Sequence, residues 1–155
     1  MTAYNILIVD DEEHILKALT RTFRHQQDWQ VETFTRAEDA LRRARSRLFD
    51  AVITDCVMPD IDGIQFLSEL KSLQPDAARI LLTGVVNVDT LMAAINEASA
   101  FRFFTKPWDD AQLIEAVSEG LRIKQILLEN RMLAQKVRDQ QQELDLLRRQ
   151  RAPAH

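Results

Sequence analysis

The 155 residues include only three glycines, four prolines and one cysteine, and each scarcity excludes something. A lone cysteine, Cys56, closes no internal disulfide, which fits a reducing compartment such as the cytoplasm. No histidine lies near it in sequence to draw off its proton, so it reads as a small loop residue rather than a reactive thiol. His and Cys occur nowhere at metal-ligand spacing, which argues against zinc. A run of about 18 apolar residues is missing, as is the basic-then-apolar order of a signal peptide, so neither a membrane span nor export is expected. The first strand is not followed by the Ser/Thr/Gly-rich phosphate loop that a flavin carrier needs. Asp10-Asp11-Glu12-Glu13 stands there instead and would repel such a phosphate.

Charge is short on one side and in surplus on the other. Residues 1–120 hold 12 Lys and Arg against 20 Asp and Glu, a net −8, whereas residues 121–155 hold 8 against 4, a net +4. The acidic body is not suited to binding nucleic acid nonspecifically. The basic residues of the C-terminal part are interspersed with Gln, Glu and Asp, as on a solvated helix, so nucleic acid is not an expected partner.

What is present is a set of short apolar runs, each ending in chemistry. Asn5–Val9 ends in Asp10-Asp11-Glu12-Glu13; Ala51–Thr54 ends in Asp55; Arg79–Leu82 ends in Thr83-Gly84; Phe103–Thr105 delivers Lys106-Pro107. Helical spacing appears between them, from Glu13 to about His25, Arg36 to about Arg47, Ile64 to about Leu73 and Val88 to about Ala98, with a further strand at Val31–Phe34. Strict β-α alternation predicts an α/β fold: a doubly wound, five-stranded parallel sheet with helices on both faces. A flavodoxin-like strand order of 2-1-3-4-5 puts the first and third strands side by side, with Asp10, Asp11 and Asp55 meeting at the switch point.

Clustered carboxylates need a cation between them at neutral pH. All-oxygen donors favour Mg2+ or Mn2+. With Lys106 as a point charge, such a site would neutralise the oxygens of a phosphoryl group in transfer, leaving Asp55 as the nucleophile that forms an acyl phosphate. Thr83 would donate its hydroxyl to a phosphate oxygen only once phosphate is present. Each residue alone could be structural, since acids at strand ends often cap the next helix. Four of them on four strand ends fit that explanation poorly.

From about Asp109 to about Gln150 there is no proline and one glycine, Gly120, so ~40 residues read as a single helix. Leu113, Ile114 and Val117 are offered to the domain body. Beyond them Ile123, Ile126, Asn130, Leu133, Val137, Gln140, Leu144 and Leu147 follow the three-then-four spacing of a dimeric coiled-coil seam, with Asn130 at a register-fixing a position. Glu143 and Arg148 fall where they could pair between helices. Leu127, Leu128, Met132 and Leu146 lie off that seam, so a frayed amphipathic helix or plain linker is the competing reading. The expected division is a body over residues 1–121, a helical extension over 122–150 and a disordered tail over 151–155.

The combination Val9-Asp10-Asp11-Glu12, Asp55-x-x-Met58-Pro59-x-x-x-Gly63, Thr83-Gly84 and Lys106-Pro107 resembles the receiver domain of two-component response regulators. The likeness covers Asn5 to about Leu121. It implies that Asp55 is the phosphoacceptor, Asp11 a direct Mg2+ ligand, Asp10 a ligand acting partly through water, and the Val57 carbonyl a further metal oxygen. It also implies that Lys106 pairs with phosphate and that Thr83 and Phe103 form the switch pair. The donor would be a phosphohistidine on a sensor kinase or phosphotransfer protein, and the signal would leave by the face of the fourth helix, fifth strand and fifth helix. The stretch from Ala94 to Trp108 looks like receivers joined to cyclic-dinucleotide hydrolases, phosphatases or AAA+ activators. No such module fits in this chain, so the effector lies elsewhere or the coil is itself the output. One departure is Ala98-Ser99-Ala100, where relatives carry glycine before the fifth strand.

On this reading the chain is a switch that turns over no external substrate. A Mg2+-dependent phosphohydrolase with an aspartyl nucleophile would want a general acid two residues after Asp55, where Val57 stands. A degenerate receiver serving as a constitutive dimerisation adaptor would have lost a site residue, and none is lost. Hydrolysis of an acyl phosphate needs water oriented in line, and the positions two after Asp55 and two after Thr83 are Val57 and Val85, which cannot hold water by hydrogen bonds. Self-dephosphorylation is therefore predicted to be slow. The half-life of a phosphorylated sample, followed by intact mass, should shorten in Val57→Asn and Val85→Glu; an unchanged half-life would refute the argument.

Overall fold

The computed structural model describes residues 3–84 and 87–151. Ten elements alternate: β1 (Tyr4–Val9), α1 (Glu13–Thr22), β2 (Trp29–Phe34), α2 (Ala37–Ala44), β3 (Ala51–Thr54), α3 (Gly63–Leu73), β4 (Ala78–Thr83), α4 (Val88–Ala98), β5 (Arg102–Thr105) and α5 (Asp110–Arg151). The strands pair in parallel in the order β2-β1-β3-β4-β5, the doubly wound arrangement the sequence predicts.

The central strands are apolar throughout because both of their faces are covered. On β1, Ile6 and Ile8 face a layer formed with Leu16, Leu19 and Phe23 of the first helical segment and Leu113, Val117 and Leu121 of α5. Leu7 and Val9 point the other way, into a layer with Ala37, Ala40, Phe66, Leu67 and Leu70. Gly120 belongs to this packing: a Cβ there would lie 2.6 Å from the Ala78 Cβ, so α5 can approach β4 only with glycine at the crossing.

Several boundaries differ from the periodicity, each for a local reason. β2 begins at Trp29, two residues earlier than Val31, because the Trp29 ring packs on Phe23 with centroids 5.4 Å apart. α1 stops at Thr22, where buried Phe23 turns into the core and Arg24 N–H bonds Arg21 O. α2 ends at Ala44 rather than Arg47, since Gln74 takes over the backbone there: its Nε2 donates to Ala44 O at 2.8 Å and Arg47 O at 2.7 Å, and its Oε1 accepts Phe49 N–H at 2.7 Å. Leu73, expected on the buried stripe of α3, is 41% exposed at the last residue of that helix.

The turn before β5 holds Ser99 at φ 48°, a left-handed conformation that costs a non-glycine residue about 1–2 kcal/mol. Two side chains brace it. Lys71 Nζ donates to Ser99 Oγ at 2.8 Å, and the buried Arg79 guanidinium donates to Ala98 O at 2.9 Å. Burial holds the Arg79 pKa below the usual arginine value, with the charge of Asp76 opposing that shift.

The chain divides into a compact unit that runs through Lys124 and a second that begins at Gln125. The first continues past Leu121 because Lys124 Nζ reaches Asp50 Oδ1 at 2.6 Å and Phe49 O at 3.2 Å, while Asp50 Oδ2 accepts Asn5 N–H. The described part of the second unit is the remainder of α5. Its apolar residues lie open, from 41% at Leu128 to 72% at Met132. Arg151, expected to begin the disordered tail, is the last residue of α5, and residues 152–155 lie outside the described ones.

Gln74 gives the fold its clearest test. Removing its amide orphans one buried donor and frees two carbonyls, at about 1–3 kcal/mol for each unsatisfied buried group. Gln74→Met should lower the urea-unfolding free energy by about 2–4 kcal/mol, whereas Leu73→Ala, on a half-open side chain, should cost under about 1 kcal/mol.

Candidate functional site

Because β1 lies beside β3, the residues just beyond their C-terminal ends meet at the carboxyl edge of the sheet. Asp10 N–H donates to Phe34 O at 3.1 Å and Asp55 N–H to Val9 O at 3.0 Å, which continues each ladder one residue past its strand. One carboxylate oxygen from each of Asp10, Asp11 and Asp55 falls within 4.8 Å of the other two. Asp10 and Asp55 are buried and Asp11 is exposed.

Lys106 arrives from the far side of the sheet. Its N–H donates to Thr83 O at 3.0 Å, which ties the end of β5 to the end of β4. Its Nζ lies 2.7 Å from Asp10 Oδ2, 3.4 Å from Asp55 Oδ2 and 3.9 Å from Glu12 Oε2. Burial pushes the Asp10 carboxyl above the usual carboxylate range and repulsion from Asp55 adds to it, while hydrogen bonds from Lys106 and Glu12 N–H pull the other way. For Lys106 burial opposes the charge, but Asp10 and then Asp55 outweigh it and raise the pKa above that of ordinary lysine. The ammonium is therefore charged at neutral pH and offsets part of the carboxylate repulsion.

The loop from Asp55 to α3 is folded back on the site. Cys56 N–H donates to Asp55 Oδ1 at 2.8 Å, leaving Oδ2 toward Lys106. Gly63 N–H donates to Cys56 O at 2.8 Å, and a Cβ on Gly63 would sit 1.9 Å from Asp55 O, so no other residue fits there without moving the Asp55 backbone. Asp62 caps α3 by accepting Gln65 N–H at 2.8 Å. Burial raises the pKa of the Cys56 thiol, and the charges of Asp62 and Asp55 raise it further, so no thiolate competes as a soft ligand. Among the described residues, the side-chain donors gathered here are carboxylate oxygens, which suit a hard divalent cation such as Mg2+ or Mn2+.

The remaining candidates are more dispersed. Thr83 is buried at the end of β4, next to the Lys106 backbone. Phe103, on β5, is partly buried against the layer that contains Phe66 and Leu81. Val57 is exposed in the loop after β3. Val85 lies outside the described residues. The seam from Ile123 to Leu147 belongs to α5, away from this acidic edge in sequence and open to solvent. Sequence reading missed Glu12, which approaches Lys106, and Asp60, whose Oδ2 accepts Glu38 N–H of α2 at 3.0 Å.

These features define a receiver, and the comparisons agree. Residues 6–118 match the response regulator receiver domain family, and the chain belongs to it. Among curated proteins it is 34% identical over 118 residues to the hydrogenase transcriptional regulatory protein HoxA of Bradyrhizobium diazoefficiens, covering 76% of this chain and 24% of that protein. It is also 34% identical over 120 residues to the transcriptional regulatory protein ZraR of Salmonella typhimurium, covering 76% and 26%. The chain thus spans about a quarter of the length of these relatives. Among solved structures, the signal receiver domain of an HD domain-containing protein from Pseudomonas fluorescens superposes with a TM-score of 0.79 at 32% identity, covering 83% of this chain and 94% of that one. The beryllofluoride-activated NtrC4 receiver domain dimer gives 0.72 at 28%, covering 77% and 98%.

Lys106→Met tests the electrostatic account without any metal. Removing the ammonium lifts the Asp10 carboxyl further above its unfolded value, so the folded state favours the protonated acid. That stability is present at low pH and lost as pH rises past the unfolded carboxylate range near 4. The stability gap between wild type and variant should therefore widen from pH 4 to pH 7, measured by denaturant unfolding in chelator.

Proposed function

We propose that this chain is a phosphorylation switch: Asp55 accepts a phosphoryl group from the phosphohistidine of a sensor histidine kinase or phosphotransfer protein. The convergence of three carboxylates within 4.8 Å, with the Lys106 ammonium at 2.7 Å and 3.4 Å from two of them, carries this reading. Asp10, Asp11, Asp55 and the Val57 carbonyl would hold a divalent cation, which when bound supplies charge neutralisation for the incoming phosphoryl oxygens. The Asp55 carboxylate attacks phosphorus, the donor's P–N bond breaks, and its electron pair leaves with the histidine nitrogen. Lys106, freed from part of its pairing with Asp55 as that carboxylate becomes an acyl phosphate, turns to the phosphoryl oxygens. Thr83 then donates its hydroxyl to the phosphoryl group and Phe103 follows inward, which alters the surface of α4, β5 and α5.

Receiver domains of this family are signalling domains rather than enzymes, and we read the present one in that way, working in the cytoplasm. The output we assign to α5. A helix whose heptad positions Ile126, Leu133, Val137, Leu144 and Leu147 are all exposed has apolar surface to cover, and a second copy in a parallel coiled coil covers it with Asn130 fixing register. An effector carried elsewhere would be moved by that pairing.

Incubation with acetyl phosphate and Mg2+ should add one phosphoryl mass to the wild type and none to Asp55→Asn. Light scattering on the same samples should show a dimer and whether phosphate changes it. Absence of an adduct, together with no structural response to beryllofluoride, would replace the switch with a constitutive dimerisation module.

A further inference from the structure

We propose that Asp60 is a positioning residue for the phosphoryl-acceptor loop, holding it by serving as the N-terminal cap of α2. The inference rests on Asp55 being the acceptor. α2 needs a cap and has none of its own: the residue at its N-cap position, Arg36, makes no side-chain hydrogen bond to the backbone of the helix, and its guanidinium pairs instead with the Glu38 carboxylate at 3.9 Å. Asp60 fills the place from another element, its Oδ2 accepting Glu38 N–H at 3.0 Å.

This bond joins two parts of unequal rigidity. α2 is fixed to the core through Ala37 and Ala40, both fully buried. The loop after Asp55 is held by Met58 packed in the core against Thr54, by Ile61 partly buried against the same core, by Asp62 capping α3 and by Gly63 seated on the Asp55 carbonyl. Between those anchors, Asp60 is where the loop reaches across to a helix it does not lead into. Loss of the tether leaves the bend between Met58 and Ile61 with no bond across to α2, and that bend can shift. Gly63 sits too close to the Asp55 carbonyl for that shift to leave the acceptor in place.

A cap and a tether can be separated, because Arg36 has the extended backbone (φ −126°, ψ 132°) that a serine cap uses. The experiment measures the rate of adduct formation with acetyl phosphate and Mg2+ by intact mass, at a temperature where circular dichroism shows each variant folded, beside its melting temperature. The variants are Asp60→Asn, Asp60→Ala and the double variant Arg36→Ser/Asp60→Ala. Asparagine keeps an acceptor oxygen and should react like wild type. Asp60→Ala should melt lower and react about tenfold slower, as expected when a reacting group is slightly misplaced. The double variant should regain the melting temperature and stay slow. Recovery of the rate along with stability would overturn the proposal, leaving Asp60 as a helix cap alone. So would an unimpaired rate in Asp60→Ala, or an asparagine variant as slow as alanine. A wild type that forms no adduct would remove the acceptor reading, and this inference with it.

Discussion

Repulsion between Asp10 and Asp55 is the constraint around which the domain is built. Strand adjacency alone makes them neighbours: β1 and β3 run parallel and side by side, and both end in an acid. Two buried carboxylates at hydrogen-bonding range of one ammonium hold together only while that ammonium stays between them. Lys106 reaches that position because β5 follows β4 in register and its own N–H is tied to Thr83. The outermost strand of the sheet thus supplies the charge that the centre of the sheet requires. The groups that would bind a cation and a phosphoryl group are the same groups that are electrostatically unsettled without them.

Around this centre, backbone groups are assigned to acids with economy. Asp10 accepts from Glu12 N–H, Asp55 from Cys56 N–H, Asp62 from Gln65 N–H and Asp60 from Glu38 N–H. Hydrogen bonds from Glu38 and Ile61, with the charge of Arg36, outweigh burial and hold the Asp60 carboxyl below the usual range. Four of the twenty acids that the composition marks in the body serve in this set of short bonds to backbone donors.

The sheet and its chemistry were legible in the sequence because a strand buried on both faces is written as an uninterrupted apolar run, and a polar residue ending such a run stands out. β2 was only half legible, since Gln30 and Glu32 interrupt an edge strand that starts at Trp29. Helix ends were misread where a side chain from elsewhere takes over the backbone, as Gln74 does beyond Ala44. Leu73 fits the helical period yet lies open, because spacing reports a stripe and not how far along the helix the core extends. The left-handed Ser99 fell where Ala98-Ser99-Ala100 had drawn notice. The roles of buried Arg79 and half-buried Asp60 could not be anticipated, since their partners are assembled by the fold.

Strand β3 is gripped by an acid at each end: Asp50 by Lys124 and Asp55 by Lys106. Both lysines flank the part of α5 that packs on the sheet. The strand and that part of the helix are struts of similar length, about 17 Å for six extended residues and about 21 Å for the helical stretch from Asp110 to Lys124. Ion pairs link the two at both ends, through Lys124 within the helix and through Lys106 in the segment before it, and define two electrostatic corners. The Asp55 corner lies at the carboxyl edge of the sheet and the Asp50 corner at the opposite end of the same strand, beside Lys124, the last residue of the compact unit.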